Sequence, residues 1–146
     1  MPTHNAALTA LKQPELIAFP AIGSSGLGFI SVAETGIHVP FNIARVYWTY
    51  YTPNDVQRGG HSHKKLEQII FAVSGCIEFT TENILGEKQV FVLDKPHIGL
   101  YIPKDIWRTI KFSHSAVLLC LASDLYDETD YIRDYSAFKK TPPVNE

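Results

Sequence analysis

Residues 58–67 read RGGHSHKKLE, a pair of glycines followed by two histidines and, four positions after the second histidine, an acidic side chain. A β-strand places alternate residues on one face. If residues 61–67 are extended, His61, His63 and Glu67 therefore project the same way, and two imidazoles converge with a carboxylate. Two solvated histidines after a glycine turn are the simpler interpretation of such a pair. The acidic residue and the β-rich surroundings favour a functional one.

The surroundings of this stretch are rich in residues that form β-strands. From residue 28 onward, about eight short runs of β-branched and aromatic residues alternate with turn residues, a pattern typical of an all-β sandwich or barrel. We predict mostly antiparallel strands at residues 28–33, 43–51, 66–73, 76–81, 88–93, 99–102, 107–112 and 116–122. After Ser123, charged and apolar residues alternate at spacings of three and four, among them Tyr126, Asp130 and Arg133, which predicts a short C-terminal helix.

Length and composition bound the class of protein. The 146 residues are 45% apolar and carry a formal net charge of -2, which predicts a single domain over residues 1–146 with a core at about 15–138, a flexible N terminus and a flexible C-terminal tail. The charge balance argues against nucleic-acid binding and disorder. The longest apolar run, residues 116–122, is too short to cross a bilayer. Cys76 and Cys120 lie in apolar stretches, so we expect free thiols and a cytoplasmic protein.

The histidine motif resembles a known superfamily. HxHxxxE followed by Gly75 is similar to the first motif of the cupins, small jelly-roll barrels that often bind a metal through these side chains. The second cupin motif supplies another histidine after a Gly…Pro segment, and in residues 99–108, GLYIPKDIWR, Arg108 stands in its place. An arginine stays protonated and repels a divalent cation. The resemblance therefore implies an all-β cupin, an RmlC-like jelly-roll barrel with a short C-terminal helix and with neither metal nor other cofactor.

Longer strings narrow the resemblance to one family. The segments 39–48 (VPFNIARVYW), 58–68 (RGGHSHKKLEQ), 99–101 and 121–135 (LASDLYDETDYIRDY) resemble the WxcM-like dTDP-4-keto-6-deoxyglucose 3,4-ketoisomerases over about residues 28–138. This resemblance implies an isomerase that converts dTDP-4-keto-6-deoxy-D-glucose to a dTDP-3-keto-6-deoxyhexose, by removing the proton on C3 and returning one to C4. The product would serve the synthesis of 3-amino-3,6-dideoxy sugars, such as those of lipopolysaccharide O-antigens.

The family pattern implies the roles of individual residues. It places the proton-transferring base at His61, and His63 and Tyr47 beside it as donors or proton shuttles whose roles could be exchanged. Strand alternation supports the grouping independently, because Arg45, Tyr47, Thr49 and Tyr51 share one face of a strand. The nucleotide diphosphate and thymine would be bound by cationic and aromatic side chains, for which the candidates are Arg45, Arg58, Lys64, Arg108, Trp48, Tyr101 and Trp107.

The chain departs from the family pattern at two positions. Leu27 stands where many relatives carry an arginine, and Arg108 stands where they usually carry a histidine, so Arg108 could supply the lost positive charge. The family also implies a homodimer in which N-terminal strands, here residues 28–33, are exchanged. Three alternatives remain open: a sugar-nucleotide 3,5-epimerase, a non-catalytic sugar-binding cupin and a metal-dependent cupin enzyme.

Overall fold

A computed structural model describes residues 13–142, and two five-stranded sheets form its framework. The first sheet has the order β1 (Glu15–Ala18), β9 (Ile98–Ile102), β6 (Gln68–Ser74), β11 (Val117–Ala122) and β4 (Arg45–Thr49). The second has the order β12 (Tyr131–Ile132), β5 (Gln57–His63), β10 (Trp107–Phe112), β7 (Ile77–Glu82) and β8 (Lys88–Leu93). Neighbouring strands in both sheets run antiparallel. The predicted all-β jelly-roll fold is confirmed.

The main core lies between the two sheets. Alternate residues of β6 and β11 from one sheet, and of β7 and β10 from the other, form one buried apolar cluster that includes Ile70, Ala72, Phe79, Phe112 and Leu118. On β4 the predicted alternation is confirmed: Arg45, Tyr47 and Thr49 are half-buried, whereas Val46 and Trp48 are 46% and 60% exposed. Tyr51 does not share their face, because β4 ends at Thr49 and Tyr51, at φ 59°, is 87% exposed.

A second apolar layer covers the outer face of the first sheet. Phe19 and Val39, from the chain before β4, pack with Ile69, Phe71 and Leu121 in a buried cluster that also holds Tyr101. The first sheet therefore has apolar neighbours on both faces. This leaves the polar residues of the interior concentrated on a few strand positions.

A hairpin stands apart from both sheets. Strands β2 (Ala21–Ser24) and β3 (Gly28–Ser31) pair with each other and, within the described part of the chain, with no other strand. Every residue from 21 to 31 is exposed, and the apolar side chains of Ile22, Phe29 and Ile30 are 58%, 62% and 67% exposed. The predicted strand at 28–33 is thus confirmed in part, as one half of a projecting hairpin.

The C-terminal segment differs from the prediction. The predicted short C-terminal helix is present, but not at the residues that suggested it: Glu128–Asp130 form a single 3₁₀ turn, and Tyr131–Ile132 pair with β5 as a strand. Pairing with β5 takes the backbone hydrogen bonds that a helix would use. The helix, α1 (Tyr135–Lys139), begins where the Asp134 side chain accepts a hydrogen bond from the Ser136 amide.

The predicted flexible N terminus and the end of the predicted tail, residues 1–12 and 143–146, lie outside the described residues. Between residues 13 and 142, no helix has the length and apolar character needed to span a membrane.

Candidate active site

A β-bulge at the two glycines directs the histidines into the barrel. Gly59 and Gly60 have φ values of +84° and +73°. Opposite them, the register of β10 shifts so that Arg108 faces His61 while Thr109 faces Gly59, which leaves one extra residue on β5. A Cβ atom on Gly59 would lie 2.8 Å from the Arg108 carbonyl oxygen, so the close approach of the two backbones requires glycine.

The chain leaves β5 directly after His63, which overturns one expectation. The Lys64 amide donates to the Asp130 carbonyl at 2.9 Å and the chain turns, so residues 61–67 are not one extended run. Glu67 instead accepts a hydrogen bond from Tyr101, a member of the outer cluster. The predicted convergence of Glu67 with the two histidines is therefore wrong. Within residues 13–142, no three His, Cys, Asp or Glu side chains are grouped to hold a metal ion.

The two histidines and a tyrosine form a corner of three aromatic rings. The ring centroids of His61 and His63 are 4.9 Å apart at 83°, and the Tyr131 ring lies 5.0 Å from His61 and 4.4 Å from His63. His63 is 1% exposed, and His61 is half-buried. The Nδ1 atom of His61 and the Nε2 atom of His63 are buried and have no hydrogen-bond partner among the described residues. Each imidazole therefore keeps a ring nitrogen available for proton transfer.

Asp130 holds His63 in place. Its Oδ2 atom lies 3.1 Å from Nδ1 of His63, and its two carboxylate oxygens also accept from the amides of Lys65 at 2.9 Å and Leu66 at 3.4 Å. A carboxylate only accepts, so Nδ1 of His63 carries the proton and Nε2 keeps its lone pair. The sequence analysis named Asp130 only as part of the predicted C-terminal helix and missed its contact with His63. Its single signal there was its place in the DETDYIR string, just before a strand-forming Tyr-Ile pair.

A hydrogen-bonded row of three side chains forms the interior wall beside the histidines. Nε2 of Gln68 donates to the Tyr47 hydroxyl oxygen at 2.9 Å, and Nη1 of Arg108 donates to Oε1 of Gln68. Nε and Nη2 of Arg108 also donate to the Ile106 carbonyl, at 3.3 Å and 3.0 Å. Arg108 is 1% exposed, and no carboxylate in the described residues pairs with it. Gln68 is a second residue that the sequence analysis missed.

Cationic side chains continue from this wall toward solvent. The guanidinium carbon of Arg45 lies 5.4 Å from the centre of the Tyr47 ring, and its Nε atom is buried without a partner among the described residues. Arg133, which the sequence analysis did not select, lies over the Tyr131 ring at 4.2 Å and pairs with Glu128 at 2.7 Å. Because Glu128 already pairs with Arg133, Arg45 is the cation of this rim with a donor left for an anion.

Burial and positive charge set the protonation states of the site. Burial, followed by the charge of Arg108, lowers the pKa of both His61 and His63 to about 3. Burial raises the pKa of Tyr47 well above its ordinary value. At neutral pH the site therefore combines two neutral imidazoles, which can accept a proton, with a phenol that keeps its own.

Several predicted binding residues lie elsewhere in this chain. Tyr101 is buried in the outer cluster, and Trp107 points out of the barrel, where its ring packs 5.3 Å from Tyr135 and 5.6 Å from Phe138. Within one chain, neither is beside the histidines. Exposed positions are occupied by Trp48 on the outer side of β4, Arg58 on β5 before the bulge, and Lys64 in the turn after it. The predicted residues that the structure does bring together are His61, His63, Tyr47, Arg45 and Arg108.

Comparison with known proteins adds a family to this geometry. The family model described as FdtA, WxcM-like, C-terminal matches residues 12–142. The chain is 41% identical over 116 residues to the TDP-4-oxo-6-deoxy-alpha-D-glucose-3,4-oxoisomerase of Aneurinibacillus thermoaerophilus, covering 77% of this chain and 81% of that protein.

Solved structures similar to this chain include sugar 3,4-ketoisomerases. QdtA, a sugar 3,4-ketoisomerase from Thermoanaerobacterium thermosaccharolyticum in complex with TDP, is 38% identical with a TM-score of 0.83, over 88% of this chain and 93% of that chain. A QdtA variant with histidine replaced by asparagine has been solved with TDP-4-keto-6-deoxyglucose. WlaRB, a TDP-quinovose 3,4-ketoisomerase from Campylobacter jejuni, is 38% identical with a TM-score of 0.84, over 90% of this chain and 100% of that chain.

Proposed function

This chain belongs to the WxcM-like family, and on that premise we propose that it is a sugar-nucleotide 3,4-ketoisomerase that converts dTDP-4-keto-6-deoxy-D-glucose to a dTDP-3-keto-6-deoxyhexose. The observation that carries the proposal is one corner of the barrel, where two neutral imidazoles each keep a buried nitrogen that has no partner among the described residues. Arg108, which faces His61 across the β5–β10 pair, connects this corner through Gln68 to the protonated phenol of Tyr47. The named activities of the relatives give the substrate class.

The reaction moves two protons and no other group. The ketone at C4 acidifies the proton on C3, and its removal gives an enediolate. His61 takes this proton and, as the imidazolium, returns a proton to C4. The second proton moves from the oxygen on C3 to the oxygen on C4, and His63 or Tyr47 carries or supports that transfer. Each proton that leaves the sugar is replaced by another, so the reaction needs neither an oxidant nor a reductant.

The negative charge of the substrate explains how His61, a weak base in the free protein, can remove the proton on C3. With a pKa of about 3, His61 is a poor base at neutral pH. Next to burial, the largest cause is the positive charge of Arg108. A diphosphate bound at the cationic rim brings negative charge to the site, which raises the pKa of the histidine toward neutrality. In this proposal the nucleotide activates the base on binding.

Arg45 is the best-placed residue for the diphosphate. Its guanidinium lies at the rim next to Tyr47, and its Nε atom is buried with no partner among the described residues. A bound phosphate oxygen would satisfy that donor with a charge-assisted hydrogen bond. Contacts from Arg58, Lys64 and Arg108 stay predictions.

The projecting hairpin supports a homodimer with exchanged N-terminal strands. A two-stranded ribbon with apolar side chains exposed on it is not stable alone in water. The outer face of the first sheet carries an apolar groove lined by residues that include Phe19, Ala33, Phe71, Leu119 and Leu121. We propose that the hairpin of one chain packs on a second copy.

We also place the enzyme in the cytoplasm, as a supplier of 3-amino-3,6-dideoxy sugars for O-antigen synthesis, a setting that suits its two free thiols.

The test is to incubate the protein with dTDP-4-keto-6-deoxyglucose in deuterium oxide and to read the product by NMR. We expect a 3-keto sugar with deuterium at C4, because a histidine proton exchanges with solvent between the two half-reactions. A carbonyl retained at C4 with deuterium at C3 and C5 would identify a 3,5-epimerase. TDP binding without turnover would identify a non-catalytic sugar-binding cupin.

Variants then test the roles. His61→Asn keeps a polar side chain without a base, so turnover should fall by about 10²-fold or more while TDP affinity changes little. His63→Asn and Tyr47→Phe should each cost less. His114→Asn, at an exposed loop position, is the matched control. If His61→Asn kept normal turnover and Tyr47→Phe abolished it, the base would be the tyrosine.

A further inference from the structure

The proposed reaction leaves open which side chain donates to the enolate oxygen, and a buried amide decides this. Gln68 is the first residue of β6, is 2% exposed and lies between Arg108 and Tyr47. Tyr47 and His63 can exchange roles only if the Tyr47 hydroxyl is free both to donate and to accept a hydrogen bond. Its hydrogen-bond partners determine which of these it does.

The direction of the hydrogen bonds follows from Arg108. A guanidinium has donors and no acceptor, so the group of Gln68 that faces Arg108 must be the carbonyl oxygen. The amide nitrogen of Gln68 is then fixed toward Tyr47, where it donates to the phenol oxygen at 2.9 Å. The orientation of a glutamine amide is usually ambiguous. Here a neighbour that can only donate settles it.

The fixed orientation of the Gln68 amide determines which hydrogen bonds the Tyr47 phenol can make. With one lone pair of its oxygen occupied by Gln68, Tyr47 must direct its own O–H elsewhere. Cys120 lies directly opposite Tyr47 on β11, and its thiol is a hydrogen-bond partner of both the Tyr47 and the Gln68 side chains. A thiol sulfur is a weak acceptor for the phenol. A ketone or enolate oxygen of a substrate in the site is a much stronger one. Arg108 also polarises the Gln68 amide, which makes the phenol a better donor.

We propose that Gln68 is a positioning residue that relays the charge of Arg108 to Tyr47 and fixes the Tyr47 hydroxyl as the hydrogen-bond donor to the enolate oxygen. Tyr47 keeps its proton through the reaction, and His63, whose Nε2 atom has no partner among residues 13–142, shuttles the proton between the two sugar oxygens. His63 takes a proton from one oxygen and gives one to the other, so its protonation is restored at the end. This inference rests on the proposed ketoisomerase activity and assigns roles within it.

The decisive variant is Gln68→Glu, which keeps the shape and reverses the hydrogen bond. The introduced carboxylate pairs with Arg108 and accepts the O–H of Tyr47, so the phenol turns away from the substrate. We expect kcat to fall roughly as far as in Tyr47→Phe, about tenfold or more, with little change in KM or TDP affinity. Gln89→Glu, on the exposed strand β8, is the matched control and should leave kcat unchanged.

A double-mutant cycle distinguishes an effect of Gln68 that acts through Tyr47 from a general disturbance of the active site. If Gln68 acts through Tyr47, Gln68→Glu should cost almost nothing further in the Tyr47→Phe background. An equal loss in both backgrounds, or kcat within about threefold of wild type in Gln68→Glu, would overturn the proposal. Thermal unfolding and TDP binding of each variant show that the fold is retained.

A readout without turnover keeps the two proposals distinguishable. The Cζ chemical shift of Tyr47, in protein labelled with ¹³C at that carbon and assigned with Tyr47→Phe, reports whether the phenol donates to a strong acceptor. Gln68→Glu should shift this resonance, and Gln89→Glu should not. A wild-type protein without ketoisomerase turnover would refute the proposed function, while an unshifted resonance in Gln68→Glu would refute the relay.

Discussion

Asp130→Asn tests whether the tautomer of His63 matters for the reaction. Asp130 is 8% exposed, and its oxygens accept from Nδ1 of His63 at 3.1 Å and from the amides of Lys65 and Leu66 at 2.9 Å and 3.4 Å. Asparagine has the same shape but replaces one acceptor with a donor. If the new NH₂ group faces His63, the imidazole must accept at Nδ1, which puts its proton on Nε2 and removes the lone pair from the site.

The structure sets the size of the effect. Hydrogen bonds to a charged group contribute about 1.5 to 3 kcal/mol each, and the amide can satisfy no more than part of the set. We therefore expect the free energy of unfolding to fall by about 2 to 4 kcal/mol. Proton transfer by a positioned side chain contributes about 10²- to 10⁴-fold, so kcat should fall by about 10²-fold. TDP affinity should change little, because the hydrogen bonds of the Asp130 side chain go to His63 and to the amides of Lys65 and Leu66 and not to Arg45.

The assay measures kcat, TDP affinity and urea unfolding, together with the ¹⁵N shifts of His63, which report the tautomer directly. Asp134→Asn is the matched control, because Asp134 is an exposed helix cap and asparagine caps equally well. An Asp130→Asn enzyme with the Nε2-protonated tautomer and a kcat within about threefold of wild type would show that His63 does not carry a proton in the reaction.

Three further outcomes follow from the same structure. The pKa of His61 and His63 is about 3 in the folded chain and about 6.5 when unfolded, so between these values the unfolded chain binds more protons. The free energy of unfolding should therefore be about 3 kcal/mol lower at pH 5.5 than at pH 7.5, and His61→Asn should remove about half of that difference. Equal stability at both pH values would contradict the presence of two neutral histidines in the folded protein. Ile30→Asp in the hairpin should shift the mass in light scattering from two chains to one, unlike Ser25→Asp in the hairpin turn, and a dimeric Ile30→Asp protein would place the interface elsewhere. Turnover should survive dialysis against EDTA, and loss of activity restored by one particular metal would overturn the acid–base roles of the histidines.

The sequence was most informative where one local pattern determines the structure. Residue alternation predicted the strands and placed Arg45 and Tyr47 on the same interior face, as β4 shows. It failed at Glu67, because the turn after His63 is stabilised by hydrogen bonds to Asp130, which is 65 residues away from Lys65 in the chain. A contact of that range has no local pattern. The turn shifts the alternation by one residue, so that Gln68 and not Glu67 lies in the site.

The C-terminal error has a related cause. Spacings of three and four between Tyr126 and Arg133 fit a helix, but they also fit a 3₁₀ turn followed by a short strand. The choice depends on whether the edge of β5 is open to pair with Tyr131, which the local sequence cannot specify. The same pairing brings Asp130 and Tyr131 to the histidines. The misplaced helix and the missed site residues Asp130 and Tyr131 therefore have the same cause, the pairing of Tyr131 with β5.

Arg108 explains how this barrel can do its chemistry without a metal ion in the proposed mechanism. It occupies the position where the second cupin motif supplies a ligand, and it is buried with no carboxylate partner among residues 13–142. An unpaired buried cation is costly in the folded protein. That cost falls when negative charge enters the site, and it falls further as the enolate develops, so the cation stabilises the transition state more than the free enzyme. In the proposed relay, Arg108 acts on the substrate through Gln68 and Tyr47, so its charge is delivered as a directed hydrogen bond. The charge that, next to burial, does most to lower the pKa of the two histidines thus also prepares, in this proposal, the donor that the enolate needs.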